Sequence, residues 1–362
     1  MLVSTIFSFL NHMRLAGFTK DVMKKILVLS LAALLIACRE SPEHSSMGSD
    51  TITFSDGDFK LVDSLEVQAL DHLSDSIYHS ATLTIIRGYL FLNEVKSDFA
   101  LHAVKIPEDA YLGKFGKKGE GPGEIGVPWK LFYSDEGGLG IFDIEQRKVV
   151  EYDIDSLLVH NHFKNEYKLG LGVSSNGVAL YDKRLYYTDQ NNLQHRLYSE
   201  SLNGSGIKSF GKLSQVGTRY ANFSDGEVME AVSHAKLVNN KSLFVLAYYN
   251  IPLLEIFDSE KEKWISLSGP EDLPSPQEFN RKMFFGSVSI SDKYIYALYF
   301  GREDYSIENA DTIYVFTHSG ELVKKIELNH GIFEFDVFED QFIYGITNHD
   351  QNFGYAVLKF EL

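Results

Sequence analysis

The chain is expected to fold as an all-β, six-bladed β-propeller with four-stranded antiparallel blades. An N-terminal strand pairing in the last blade is expected to close the ring. Three observations carry that expectation. First, very apolar strand-like runs recur at 89–95 (YLFLNEV), 139–144 (LGIFDI), 184–188 (RLYYT), 242–248 (SLFVLAY), 294–300 (YIYALYF) and 341–347 (QFIYGIT). They return about every 50 residues, the spacing of propeller blades. Second, each is followed by a further strand-like run and, in all but the last, by a fourth. Third, Tyr (20) and Phe (26) are abundant, and flat rings pack well on pleated surfaces. From residue 51 onward no amphipathic helical stretch stands out, and Gly, Asn, Asp and Ser clusters separate the runs.

The first 50 residues read as an address. Lys24 and Lys25 precede a 12-residue apolar run at 26–37, which ends Leu35-Ile36-Ala37-Cys38. That run is too short to span about 30 Å of hydrocarbon. Basic residues, apolar run, small residue and Cys stand in the register of a bacterial lipobox, with lipidated Cys38 as the first mature residue. Residues 1–37 are thus expected to be a signal peptide, with Met23 as the true start. Residues 38–50 (CRESPEHSSMGSD) would be the lipidated Cys and a flexible tether. Arg39, where Asp would favour inner-membrane retention, makes the outer membrane the expected site and leaves its face open. Cys38 is the single cysteine, so a lipidated chain has no thiol for disulfides, thiolate catalysis or zinc. The formal charge of -16 disfavours phosphate backbones and excludes nucleic acid as the expected partner.

Residues 51–362 are expected to form one propeller domain. The inner strands are read at 82–86 (TLTII), 129–133 (WKLFY), 231–238 and 287–290 (SVSI). Outer strands are read at 112–115, 157–163, 207–210, 264–267 and 322–328. The last blade runs out of chain after its third strand, whereas residues 51–70 contain strand-like runs without a blade of their own. Pairing the two removes the open seam of the ring. Two β-sandwiches are the rival architecture, but no domain linker is evident.

Few residues point to chemistry. Gly116, Gly119, Gly121, Pro122, Gly123 and Glu124 form a loop beside Lys114, Lys117 and Lys118. Such a loop can cradle an anion, yet no Gly-Lys-Ser/Thr occurs, so the preferred reading is a crossover between blades one and two. Asp143 and Arg147 flank a tight turn and are read as a side-chain pair that locks it. His160 and His162 would share one face of an outer strand, a beginning of a metal site without acidic partners. Candidate binding residues are Trp129 near the channel mouth, Arg219 and Tyr220 in the connection between blades three and four, His234 near an inner strand, and Arg281 between blades four and five. Catalytic motifs such as Gly-x-Ser-x-Gly or His-Glu-x-x-His are missing.

The stretch 111–158, YLGKFGKKGEGPGEIGVPWKLFYSDEGGLGIFDIEQRKVVEYDIDSLL, resembles the TolB-like six-bladed propeller lipoproteins of Bacteroidota, marked by a G-x-x-G-x-G-P-G-E loop. Ile125 stands where that family carries Phe or Tyr. The turn around Asp143 to Val149 also resembles that of NHL-type blades. The resemblance implies six blades and an envelope lipoprotein, and implies no activity.

The expected function is a lipid-anchored, non-enzymatic binding module for a protein, peptide or glycan, a monomeric domain without a cofactor. The alternative is a calcium-dependent hydrolase or lactonase with its site in the central channel. Inner strands such as TLTII, WKLFY and SVSI are poor in acids, which weighs against it.

Overall fold

The structure is a computed structural model and describes residues 50–362, apart from 75–76, 78–81, 95, 135–136, 170–176, 190–193, 205, 213–231, 233, 276–277, 279–281, 303–308 and 349–354. The signal peptide, Cys38 and the tether to residue 49 lie outside the described residues.

The described chain opens with β1 (Asp50–Thr53), β2 (Val62–Leu65), β3 (Val67–Ala69) and the one-turn α1 (Asp71–Ser74). Blade one is β4 (Leu83–Ile86), β5 (Tyr89–Asn93), β6 (Phe99–Lys105) and β7 (Ala110–Lys117). Blade two is β8 (Pro128–Tyr133), β9 (Leu139–Asp143), β10 (Lys148–Tyr152) and β11 (Asn165–Lys168), with α2 (Ile154–His160) before its outer strand. Blade three is β12 (Val178–Tyr181), β13 (Arg184–Tyr187), β14 (His195–Ser201) and β15 (Ile207–Lys212). Blade four is β16 (Ala235–Asn240), β17 (Leu243–Tyr248), β18 (Leu253–Asp258) and β19 (Lys263–Ser268). Blade five is β20 (Met283–Ile290), β21 (Tyr294–Arg302), β22 (Ala310–Thr317) and β23 (Leu322–Ile332). Blade six has only β24 (Glu334–Phe338), β25 (Phe342–Asn348) and β26 (Tyr355–Glu361) from the C-terminal part of the chain.

The missing fourth strand of blade six is β3, antiparallel to β26 with Ala69 opposite Leu358. The ring closes as expected. The N-terminal segment does more, however. β1 adds a parallel fifth strand to β19 of blade four, and β2 does the same to β23 of blade five. Two blades therefore carry five strands rather than four. The segment is a strap that crosses the rims of three consecutive blades, always in the direction of the outer strand it joins or replaces.

No single core holds the ring. Among the described residues, apolar side chains form six clusters, one in each interface between neighbouring blades. The cause is the strand period of two: alternate residues of each strand face opposite blades, and both faces are covered. The strap enters three of these interfaces. Phe54 and Phe59 pack between blades four and five, with ring centroids 5.2 Å (Phe54–Phe316) and 5.0 Å (Phe59–Tyr314) apart. Leu65 fills the interface of blades five and six, and Leu70 and Leu73 that of six and one. Asp56 accepts from Tyr314 Oη at 2.8 Å and Lys325 Nζ at 3.0 Å, which anchors the strap between β1 and β2. A Cβ at Gly269 would meet the Phe54 carbonyl oxygen at 2.1 Å, so a glycine lets the strap lie close to blade four.

One expected strand is a helix. Residues 157–163 were expected to be the outer strand of blade two; instead α2 occupies Ile154–His160, and the outer strand β11 follows at Asn165–Lys168. Asp153 caps α2 by accepting from Ser156 N at 2.9 Å, and Asn161 ends it in the left-handed conformation. His160 therefore closes a helix and His162 lies beyond its cap, so the two do not share a strand face. Among the described residues no helix is long and apolar enough to cross a membrane.

Candidate functional site

The six inner strands surround a central cavity of about 630 Å³. It spans the length of these strands. Residues at their starts, Lys236 and Glu334, line it, and so do residues at their ends, Asn240, Ile290 and Phe338. It reaches the turns between first and second strands, where Arg87, Lys241, Asp292 and Glu339 form a rim of mixed charge.

Inside the channel four lysine and acid side chains converge, with a tyrosine beside two of them. Lys236 on β16 donates to both carboxylate oxygens of Glu334 on β24. The two are 6% and 7% exposed. Burial opposes the charge of Lys236, but the Glu334 carboxylate overcomes it and holds the ammonium above its usual range. Two residues along β24, on the same side of the strand, Asp336 accepts from Ile85 N at 2.8 Å and from Ser289 Oγ at 2.5 Å, linking blades one, five and six. Enclosure by protein raises its pKa. Tyr249, just past β17, is likewise raised by burial and senses both Lys236 and Glu334.

Lys130 on β8 is the fourth, 8% exposed. It lies against the Lys236 ammonium and makes no ion pair with a carboxylate among the described residues. Burial, then the neighbouring Lys236 charge, lowers its pKa from 10.5 to about 7. Between those values the unfolded chain holds more protons than the folded one, so this group's contribution to stability improves as pH rises from 7 toward 10.5. Below pH 7 it is charged in both states and its burial penalty is complete. Lys130→Met is accordingly expected to stabilise the fold by about 1–3 kcal/mol at pH 6, a gain that shrinks steadily toward pH 10. Thermal melts across that range check it. A gain that grows with pH would contradict the assignment.

The residues singled out from the sequence lie elsewhere. Trp129 is 40% exposed and is not part of the channel lining, although its neighbour Lys130 is. His234 is exposed just ahead of β16, and Lys236, two residues on, is the channel residue. Arg219, Tyr220 and Arg281 lie outside the described residues. The expectation that inner strands are poor in acids fails for blade six, where β24 supplies Glu334 and Asp336. The signal was in the sequence: a Lys beside apolar residues in two inner strands (PWKLFY, AKLVNN) and alternating acids in a third (EFDVF).

These carboxylates do not fit calcium. Glu334 is engaged by an ammonium and Asp336 by amide and hydroxyl donors, with a second lysine alongside. Among the described residues no three His, Cys, Asp or Glu side chains gather as metal ligands.

The glycine loop is a structural crossover in its geometry. Gly116 N donates to Asn161 Oδ1 at 2.7 Å, Gly121 N to Glu124 Oε2 at 2.9 Å and Gly123 N to Glu166 Oε2 at 2.7 Å. Glu124 also pairs with Lys117, and Gln146 Nε2 donates to the Gly119 carbonyl at 2.7 Å. Gly123 has φ 71°, and a Cβ there would meet the Phe163 ring at 2.0 Å. The amides that could have cradled an anion thus serve carboxylates and amides of the protein itself. Asp143 locks the following turn through backbone amides rather than through Arg147. It accepts from Gly126 N (2.6 Å), Val127 N (3.3 Å), Glu145 N (3.0 Å) and Gln146 N (3.1 Å). Arg147 is exposed, with φ 52°.

Comparison with known proteins agrees with this architecture. A Bacteroides fragilis NCTC 9343 protein named as an exported-protein candidate superposes with a TM-score of 0.54 at 12% identity, over 86% of this chain and 98% of that one. The virginiamycin B lyase of Staphylococcus aureus gives 0.45 at 9% identity, over 82% and 99%. The Pan2 WD40 domain of Neurospora crassa gives 0.46 at 9% identity, over 82% and 94%. Of these likenesses the first shows a shared fold and nothing beyond the fold. No curated protein matches the chain. The TolB-like six-blade propeller family matches residues 83–340, which covers all six blades' inner strands and the whole charged channel. The chain is a member of the TolB-like six-bladed β-propeller family.

Proposed function

We propose that this protein is a lipid-anchored recognition module of the cell envelope. It binds part of a protein, peptide or glycan partner at the open mouth of its central channel, without turning it over. One observation carries the reading: the channel holds Lys130, Lys236, Glu334 and Asp336 where apolar side chains would stabilise the ring better. Burying charged groups is costly, and replacing them by apolar ones of similar volume is often stabilising. A ligand that meets these groups gives a reason for their place. The mixed-charge rim is built from turns on a rigid scaffold, the usual setting for binding residues. Support for the address comes from Lys24, Lys25, the apolar run at 26–37 and Cys38.

Site-specific photocrosslinking in intact cells tests the reading. A crosslinking residue replacing Tyr133, which lines the cavity and is 47% exposed, should capture one defined species. The same residue replacing Val159, 72% exposed on α2, should capture none. Capture from Val159 equal to that from Tyr133 would overturn it.

A further inference from the structure

We propose that Lys130 captures small aldehydes or ketones in the channel as a reversible imine on its Nζ. The proposal rests on the reading of the channel as a binding site and goes beyond it, adding a small carbonyl ligand inside the channel to the partner at its mouth.

The geometry sets Lys130 apart from the other lysines. It is more than nine-tenths buried, yet it lines a cavity with room for a small organic ligand. Of the two carboxylates near it, Glu334 is paired with Lys236 and Asp336 accepts from Ile85 N and Ser289 Oγ. By contrast, the other deeply buried lysines have carboxylate partners: Lys148 meets Glu166 at 3.0 Å and Lys359 meets Asp109 at 2.7 Å. A lysine held by a second cation in a low-dielectric pocket favours the neutral amine, the form that attacks carbonyl carbon. The charged groups that face it are Lys236 from β16 and Glu334 and Asp336 from β24; Tyr249, beyond β17, acts on Lys236 and Glu334 instead.

The step balances without a further reactant. The Nζ lone pair bonds to the carbonyl carbon, and the carbonyl π pair moves to oxygen. Oxygen then leaves as water with both amine hydrogens, and a carbon–nitrogen double bond remains. Hydrolysis reverses it. No oxidation or reduction takes place, so the channel can hold and release the ligand without consuming it.

The test is reductive trapping of the full chain with glycolaldehyde and cyanoborohydride, followed by peptide mass mapping. At pH 7 Lys130 should be alkylated at least about tenfold faster than Lys261, which is 76% exposed on its side chain. The expectation follows from the far larger neutral fraction of an amine titrating near 7 than of Lys261, whose bond to Asp258 holds its ammonium above the usual range. The Lys130 rate should level off above pH 8 while that of Lys261 keeps climbing. Lys236→Met frees Glu334 to pair with Lys130, and should move the Lys130 rate profile to higher pH. Alkylation of Lys130 at or below the rate of Lys261, or an unchanged profile in Lys236→Met, would overturn the proposal. If Lys130 proves unreactive while the residue-133 crosslink still forms, the imine fails and the channel reading stands. Loss of both removes both.

Discussion

Deletion of residues 50–69 is expected to abolish cooperative folding of the whole ring. It strips β3 from blade six, leaving three strands and an unpaired outer edge on β26. It also removes Phe54, Phe59 and Leu65 from two interfaces between blades. A buried Phe truncated to Ala costs about 3–5 kcal/mol and a Leu about 2–5 kcal/mol. Together these losses match the whole stability of an ordinary domain, about 5–15 kcal/mol. Calorimetry checks the expectation. The full chain should melt in one transition and the deletion variant should show none. A deletion variant that melts like the full chain would show that the strap merely decorates the rim. The point variant Phe54→Ala tests the same idea with the ring still closed, and should lower the melting temperature without splitting the transition.

The second large effect is expected at Glu255. Its side chain is wholly buried between blades three and four and accepts from Arg196 Nη1 at 2.5 Å, Tyr248 Oη at 2.7 Å and Ser266 Oγ at 3.3 Å. Arg196 is itself buried and stacks over the Trp264 ring at 4.9 Å. Glu255→Ala leaves that guanidinium without its counter-charge in a buried interface, at a cost of about 3–5 kcal/mol. The partner test separates charge from volume. Arg196→Met combined with Glu255→Leu removes both charges and should recover most of the loss, because the pair's desolvation disappears with it. Chemical denaturation of the two variants reads the difference. Equal destabilisation of single and double variants would assign the effect to shape rather than to the buried charge.

The architecture was legible because it rests on period and spacing. Strand runs about 50 residues apart, and a last blade short of one strand, leave ring closure as the solution, and β3 supplies it. The fifth strands were not legible. β1 and β2 are four residues each and pair with edges more than 200 residues away, which local pattern does not reveal. α2 was misread because Leu157, Leu158 and Val159 form an apolar run as readily assigned to a strand. The Asp153 cap and the buried pair Ile154 and Leu157, three apart, were the better guide. At the site, the aromatic and histidine candidates Trp129 and His234 stand one and two positions before the channel lysines Lys130 and Lys236. A lone lysine in an apolar strand looks like an edge residue. Only closure of the ring brings Lys130, Lys236, Glu334 and Asp336 together, from blades two, four and six.

The role proposed for these four groups is the floor of a binding site. It is tested most directly by quantifying the crosslink from position 133 with and without the change Glu334→Gln. That change breaks the pair with Lys236 and leaves the rim turns in place. The expected result is a loss of at least about tenfold in crosslinked product, the equivalent of about 1.4 kcal/mol in binding, with the thermal melt still cooperative. An undiminished crosslink in a folded Glu334→Gln protein would contradict the claim and move the binding surface away from the channel floor.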